Sequence, residues 1–362
     1  MFGLNATPTS SAGVTTDSFH PKVLIVGGDV MCGYYPAMEF LKYKKHNPHK
    51  MHKSIRVGYM ESHSPFIKEL QDMGAEMCKF DLTSMDSIKK MFEGCTCAII
   101  TPPIYTKDFA HCRRMIECAK SSSDLKHCIF ISLLQAEKLY MWDRLCHVYE
   151  METQFLSHMK KWERAYVVRT TVPLEGFFFL RKMIQEKREL PWPTCSQKVS
   201  PCSMKEVSRV IRSLLMFGEH SHHESSSEFE FKGREPVATI NGVSGHLAPI
   251  AGIPHDDHNH RSFCLTGMHK LSGEDMAKEC SHALNTHIKL KEMSSEEFAK
   301  CLMELNKQLP HEYIVVLKQF AEVIHKGIWD VKFDDLQKLL DKKPMSIKDY
   351  FEDNSKDFKP SS

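Results

Sequence analysis

No stretch of this chain approaches the roughly 18 consecutive apolar residues of a membrane-spanning helix; the densest patch is Gly-Phe-Phe-Phe-Leu at 176–180. The sequence therefore predicts a soluble protein. Charge of one sign is also missing. A net charge of +2 over 362 residues gives no overall field toward nucleic acid or an anionic membrane, so neither is expected as a direct partner. The 13 cysteines are odd in number and follow no repeated spacing, the closest pair being Cys95 and Cys97. That excludes a regular disulfide framework and points to reduced thiols in the cytoplasm or nucleus. The first twenty residues hold no Lys or Arg and no apolar run, so 1–20 reads as a disordered tail rather than a targeting segment. Walker loop, nucleophile elbow, ordered Ser-His-Asp set and nucleic-acid module are absent as well.

What is present starts at Lys22-Val-Leu-Ile-Val-Gly-Gly-Asp-Val-Met-Cys-Gly33. An apolar strand runs into Gly27 and Gly28, and Gly33 closes a Gly-x-x-Gly-x-x-Gly frame whose middle position is Val30. In a dinucleotide-binding turn the first glycine makes the bend, the second admits the pyrophosphate and the third lets helix pack on strand. Here bend and packing are kept and the phosphate approach is crowded. Asp29, one residue earlier, is expected to bring a negative charge to the place where a helix N-terminus receives an anion.

From residue 22 to about 170, apolar strands alternate with amphipathic segments, the pattern of a parallel sheet covered on both faces. The expected strands are 22–26, 54–60, 76–80, 96–101, 127–132 and 165–169. Helices are expected after Ser64-Pro65, from Thr83-x-x-Asp86 to Gly94, over 107–120 and over 141–161. Beyond 170 helical patterns dominate, with capping-box spacing at Ser272/Asp275, Ser294/Glu297 and Ser346/Asp349. The expected fold class is α/β: a doubly wound parallel Rossmann sheet over 21–200 and a smaller, mainly helical C-terminal lobe over 201–362. A His-rich insertion at 219–260 interrupts the lobe. Its histidines (His220, His222, His223, His255, His258 and His260) lack paired Cys spacing and a fixed scaffold, so no metal site is assigned.

Two further stretches, Gly74-Ala-Glu-Met-Cys-Lys-Phe-Asp-Leu82 and Phe92-Glu-Gly-Cys-Thr-Cys-Ala-Ile-Ile-Thr101, follow the turn, and Phe333-Asp-Asp335, Lys343-Pro-Met-Ser346 and Asp349-Tyr-Phe351 close the chain. In this order they resemble the NmrA-like family of atypical short-chain dehydrogenase/reductases, from about residue 20 to 358. The resemblance implies a Rossmann fold and NAD or NADP as cofactor, bound weakly or lost. The family contains fungal regulators of nitrogen metabolite repression, which bind dinucleotides without turning them over and contact a GATA-type transcription factor. It also contains redox sensors, and it borders on isoflavone-reductase-type enzymes. Regulator and NAD(P)-dependent reductase both stay open.

A short-chain reductase needs a Tyr that exchanges a proton with substrate and a Lys four residues on. The chain offers only Tyr140 with Arg144, whose planar guanidinium does not replace an ammonium. On the predicted helix 141–161, where the isoflavone-reductase branch carries its base, His147 stands as a base or as a surface histidine. Ser132 ends a strand, either lining the cofactor or bonding nearby backbone. Glu61, at the end of the second strand, would accept from ribose hydroxyls and repel a 2′-phosphate, favouring NAD. Asp81 by resemblance lies beside the adenine, or serves as an N-terminal helix charge, and Thr101 completes the cofactor-binding set. The basic run 42–53 reads as a solvated loop or as a grip for a phosphate or a partner's acidic face.

Overall fold

The computed structural model describes residues 22–49, 51, 54–61, 64–193, 196–216, 237–240, 243–246, 260–307 and 309–359. The tail 1–20 and most of the insertion, including His220, His222, His223, His255 and His258, lie outside the described residues.

The first half alternates strand and helix: β1 Val23–Val26, α1 Met31–His46, β2 Ile55–Tyr59, α2 Pro65–Asp72, β3 Glu76–Lys79, α3 Met85–Phe92, β4 Cys97–Ile100, α4 Arg114–Ser121, β5 His127–Leu133, α5 Cys146–His158 and β6 Arg164–Thr170. Then come β7 Glu189–Pro193, α6 Met204–Met216, the hairpin β8 Val237–Ile240 and β9 Val243–His246, β10 His260–Leu265, α7 Gly273–Leu284 and β11 Lys289–Met293. Five helices close the chain: α8 Ser295–Leu305, α9 His311–His325, α10 Asp335–Leu340, α11 Ile347–Asp353 and α12 Ser355–Phe358. The main sheet has the order β10-β6-β5-β4-β1-β2-β3, and each of its strand pairs is parallel. This is the doubly wound Rossmann-type sheet expected, with its switch point between β1 and β4.

Strand residues alternate between faces. On β1, Val23 and Ile25 join the core beneath α1 and α6, while Leu24 and Val26 join the core on the side of α3, α4 and α5. All four are fully buried, which explains why the strand reads as an unbroken apolar run. A third core, built around Trp192, Trp329 and Phe351, holds the C-terminal lobe.

The six expected strands form within a residue or two of their expected bounds, and all three capping boxes close. The helix ends differ more. Ser84, not Thr83, caps α3, because the Thr83 amide and hydroxyl both donate to Asp81 Oδ1 at 2.8 Å and hold Thr83 in the preceding turn. The segment expected to be helical over 107–120 becomes a short turn at Phe109–His111 followed by α4. Likewise α5 starts at Cys146, not 141. Trp142 Nε1 donates to Glu322 at 2.8 Å and Gln319 donates to Asp143, so α9 holds 141–145 in turns.

The division at residue 200 does not follow the layers. The seventh strand of the main sheet, β10, and the helix α6, which packs on α1, both come from the second half. The lobe also contains strands: β7 and β11 pair in parallel as a small sheet. Two prolines, Pro191 and Pro193, hide β7 in the sequence; a two-stranded sheet tolerates them because each strand has an outer edge needing no ladder donors.

Candidate functional site

The turn after β1 is built as its glycines require. Gly27 adopts φ +85°, and the amides of Gly27 and Gly28 both donate to Gly58 O on β2, at 2.9 and 3.0 Å. A Cβ on Gly33 would stand 2.1 Å from Gly27 O, so α1 packs against the turn at a distance only glycine permits. At Val30 the turn departs from a phosphate cradle. This residue caps α1 without a side-chain hydrogen bond, is 7% exposed, and joins the apolar core with Ile104, Tyr105 and Leu134. A branched hydrocarbon occupies the position that should admit a pyrophosphate.

Asp29 corrects the expectation drawn from the sequence. Its carboxylate does not sit at the N-terminus of α1; it reaches the end of β2, where Oδ2 accepts from the amides of Met60 at 3.0 Å and Glu61 at 2.8 Å. Tyr105 Oη donates to Oδ1 at 3.0 Å, and Ser64 Oγ and Tyr313 Oη donate to the Asp29 carbonyl at 2.9 and 3.4 Å. Burial raises the Asp29 pKa, opposed by the hydrogen bonds from Glu61, Met60 and Tyr105. The rings of Tyr105 and Tyr313 lie 5.3 Å apart, bridging the loop after β4 to α9.

This bridge divides the crevice at the carboxyl ends of the strands into two chambers, and both tyrosines line each of them. The outer chamber, about 620 Å³, runs along the ends of β2 and β3 and contains Glu61 and Asp81. Its described lining carries five carboxylates (Asp29, Glu61, Asp81, Asp108 and Glu312) against two lysines, Lys79 and Lys107. Hydrogen bonds from Thr83 hold the Asp81 carboxyl below its usual pKa. The inner chamber, about 220 Å³, lies over the ends of β4, β5 and β6 and contains Val30, Thr101 and Ser132.

The remaining sequence candidates disperse. Ser132 Oγ donates to the fully buried Glu152, which also accepts from Arg169 Nε at 3.1 and 3.2 Å; Arg169 Nη1 reaches Glu137 at 3.5 Å. The serine hydroxyl is thus committed to a buried ion pair. Tyr140 is 73% exposed and lines neither chamber. His147 Nδ1 lies 2.9 Å from Glu150 on the surface of α5, its ring against Phe109, and it too lines neither chamber. Cys146, His147 and Glu150 bring ligand-type atoms within 4.8 Å of one another, but Arg113 already supplies a positive charge 3.8 Å from Glu150.

A dinucleotide fits this arrangement in part. The outer chamber has room for an adenosine, with Phe66, Phe80 and Leu82 beside Asp81. Between it and the inner chamber stand Val30, Asp29 on the Met60 and Glu61 amides, and the paired rings of Tyr105 and Tyr313. Tyr105 and Tyr313 were not legible as site residues, because 208 positions separate them and only folding brings α9 over the sheet.

No protein-family model and no curated protein matches this chain. Solved structures do share its fold. The triphenylmethane reductase of Citrobacter sp. superposes with a TM-score of 0.64 at 16% identity over 92% of this chain and 99% of its own; it has also been solved with NADP(H). A nucleoside-diphosphate-sugar epimerase of Staphylococcus aureus gives 0.63 at 14% identity over 91% and 99%. NmrA, a negative transcriptional regulator solved in complex with NADP, gives 0.59 at 13% identity over 92% and 95%. At the level of the fold, the resemblance expected from the motifs is met.

Proposed function

We propose that this chain is a non-catalytic regulatory protein on an atypical short-chain dehydrogenase fold, binding dinucleotide weakly and acting through protein partners. The observation that carries this reading is the turn: Val30 fills the pyrophosphate position while Asp29 takes the amides at the end of β2. The dispersal of Ser132, Tyr140 and His147 supports it, since a proton-transfer group must reach the reacting atoms. Binding of any dinucleotide requires the Tyr105–Tyr313 bridge to part. NAD is favoured over NADP, because five carboxylates against two lysines in the outer chamber repel an added phosphate.

As a redox sensor the protein must bind oxidised and reduced forms with different affinity, since equal binding shifts no equilibrium. The resemblance points to a GATA-type transcription factor as partner, to nitrogen-source control of transcription, and to the cytoplasm or nucleus. Tyr140 and Met141, 73% and 62% exposed, supply apolar area for such a contact. Calorimetric titration with NAD, NADH, NADP and NADPH tests the reading. Weak binding that discriminates redox states supports a sensor, and binding of none leaves a protein-interaction scaffold. Val30→Gly is expected to tighten NAD binding; unchanged or weaker affinity would remove the basis of the reading.

The second reading, an NAD(P)-dependent reductase, is favoured by the reductase among the structural neighbours. Dinucleotide-dependent turnover lost in Tyr140→Phe or His147→Ala would establish it at the expense of the first.

A further inference from the structure

The first turn of α5 carries a set of side chains that neither chamber uses. Cys146, His147 and Glu150 each present one atom of a metal-ligand type, and these atoms lie within 4.8 Å of one another. Helical spacing brings them together: 146 and 150 stand four apart and 147 and 150 three apart, so both pairs are neighbours on the helix surface. Cys146 and His147 are half-buried and Glu150 is exposed, which leaves the cluster within reach of an ion from solvent.

The cluster is held in place by its surroundings. Cys146 Sγ donates to Asp143 O at 3.2 Å, and the Asp143 carboxylate accepts from Gln319 on α9. His147 Nδ1 lies 2.9 Å from Glu150 Oε2, and its ring packs edge-on with Phe109 at 5.2 Å between centroids. Arg144 sits 4.3 Å from the Phe109 centroid and donates to the carbonyls of Ile104 and Thr106, which fixes that ring in turn. Side chains ordered in advance lose less entropy when they take a ligand.

The donor set selects the ion. Magnesium and calcium take oxygen ligands, whereas zinc accepts thiolate, imidazole and carboxylate together. One thiolate and one carboxylate also balance its two charges, and the helix N-terminus favours the anionic form of Cys146. Bonds of about 2.0–2.3 Å in a tetrahedral zinc site put neighbouring ligand atoms roughly 3.3–3.6 Å apart, so movements on the order of 1 Å close this set. The competing cation is weakly held: Arg113 Nη1 lies 3.8 Å from Glu150 Oε2, and the two side chains are 56% and 42% exposed.

We infer that the first turn of α5 is a zinc site with Cys146, His147 and Glu150 as ligands and water in the fourth position. Binding replaces the Cys146 S–H bond with a sulfur–zinc bond, the thiol proton goes to solvent, and Arg113 gives up Glu150. The site depends on neither the regulatory reading nor a bound dinucleotide.

Titration of the reduced full chain with Co²⁺, followed by displacement with Zn²⁺, tests this. A thiolate-to-cobalt charge-transfer band that saturates at one ion per chain and is lost on adding zinc is expected. The His-rich insertion at 219–260 contains no cysteine, so ions bound there produce no such band. Cys146→Ser should abolish the band, and His147→Gln and Glu150→Gln should each weaken cobalt binding by about tenfold or more. Arg113→Ala removes the competing charge and should tighten binding severalfold. Circular dichroism melts separate lost binding from lost folding; should Cys146→Ser fail to fold, Glu150→Gln and Arg113→Ala, both at exposed side chains, still decide the matter. No charge-transfer band in the unaltered chain, a band that survives in folded Cys146→Ser, undiminished affinity in folded His147→Gln and Glu150→Gln, or weaker binding in Arg113→Ala would each overturn the inference.

Discussion

Tyr105 donates a 3.0 Å hydrogen bond to Asp29 Oδ1 across 76 positions of chain, joining the loop after β4 to the turn after β1. The bond lies at the switch point of the sheet, where this fold places its ligands. Both partners are buried, so an interaction that would be small at the surface here helps to satisfy a carboxylate removed from water.

Asp29→Asn tests the electrostatic account of that contact. Because burial raises the folded pKa, the folded chain holds the Asp29 proton more tightly than the unfolded chain does. Its contribution to stability is therefore full below the ordinary value of 3.8 and is lost as pH rises through the raised folded value. Urea denaturation of Asp29→Asn should show the variant gaining on the parent as pH rises from 4 toward 7. A loss that grows toward pH 7 would mean the turn stabilises the anion.

Gly33→Ala probes the packing of α1. The added Cβ would meet backbone, Gly27 O at 2.1 Å, which cannot rotate aside as a side chain can. The expected loss is about 3 kcal/mol, the upper range for overpacking. A melting temperature equal to that of the parent would show that the turn is looser than its hydrogen bonds imply.

His127 should govern part of the acid limb. Burial, with Arg164 nearby, holds its pKa at about 4 against the ordinary 6.5. The unfolded chain takes up this proton first, so the stability is present above 6.5 and is lost as pH falls toward about 4. His127→Phe should flatten the stability profile across that window while leaving the region above 7 little changed. An unaltered slope would assign the acid limb to other groups.

Ser132→Ala leaves Glu152 paired with Arg169 but removes one of its donors. The expected cost is about 1–3 kcal/mol, read by urea denaturation. Arg169→Ala leaves a buried carboxylate without its cation and should cost more, about 3–5 kcal/mol. Ser132→Ala as stable as the parent would reopen a role for the hydroxyl in the inner chamber.

The main sheet was legible because parallel strands buried on both faces must be nearly continuous in apolar residues, as Val23–Val26 and His127–Leu133 are. Capping boxes were legible for a similar reason: Ser346 and Asp349 satisfy each other's backbone over three residues, with no help from the rest of the fold. Strands β10 and β7 were not. The first follows a polar insertion and the second contains two prolines, and each is strand only because a neighbouring strand already offers its edge.

The sequence alone determined the strand-turn-helix at residues 23–46, the bend at Gly27, the close packing at Gly33 and the loss of the middle glycine, all of which depend on local backbone geometry. The tertiary structure alone decided where Asp29 points, that α9 carries Tyr313 across to meet Tyr105, and that Ser132 is spent on Glu152. Those outcomes depend on side chains far apart in the chain competing for the same buried donors and acceptors, and that competition has no expression in residue spacing.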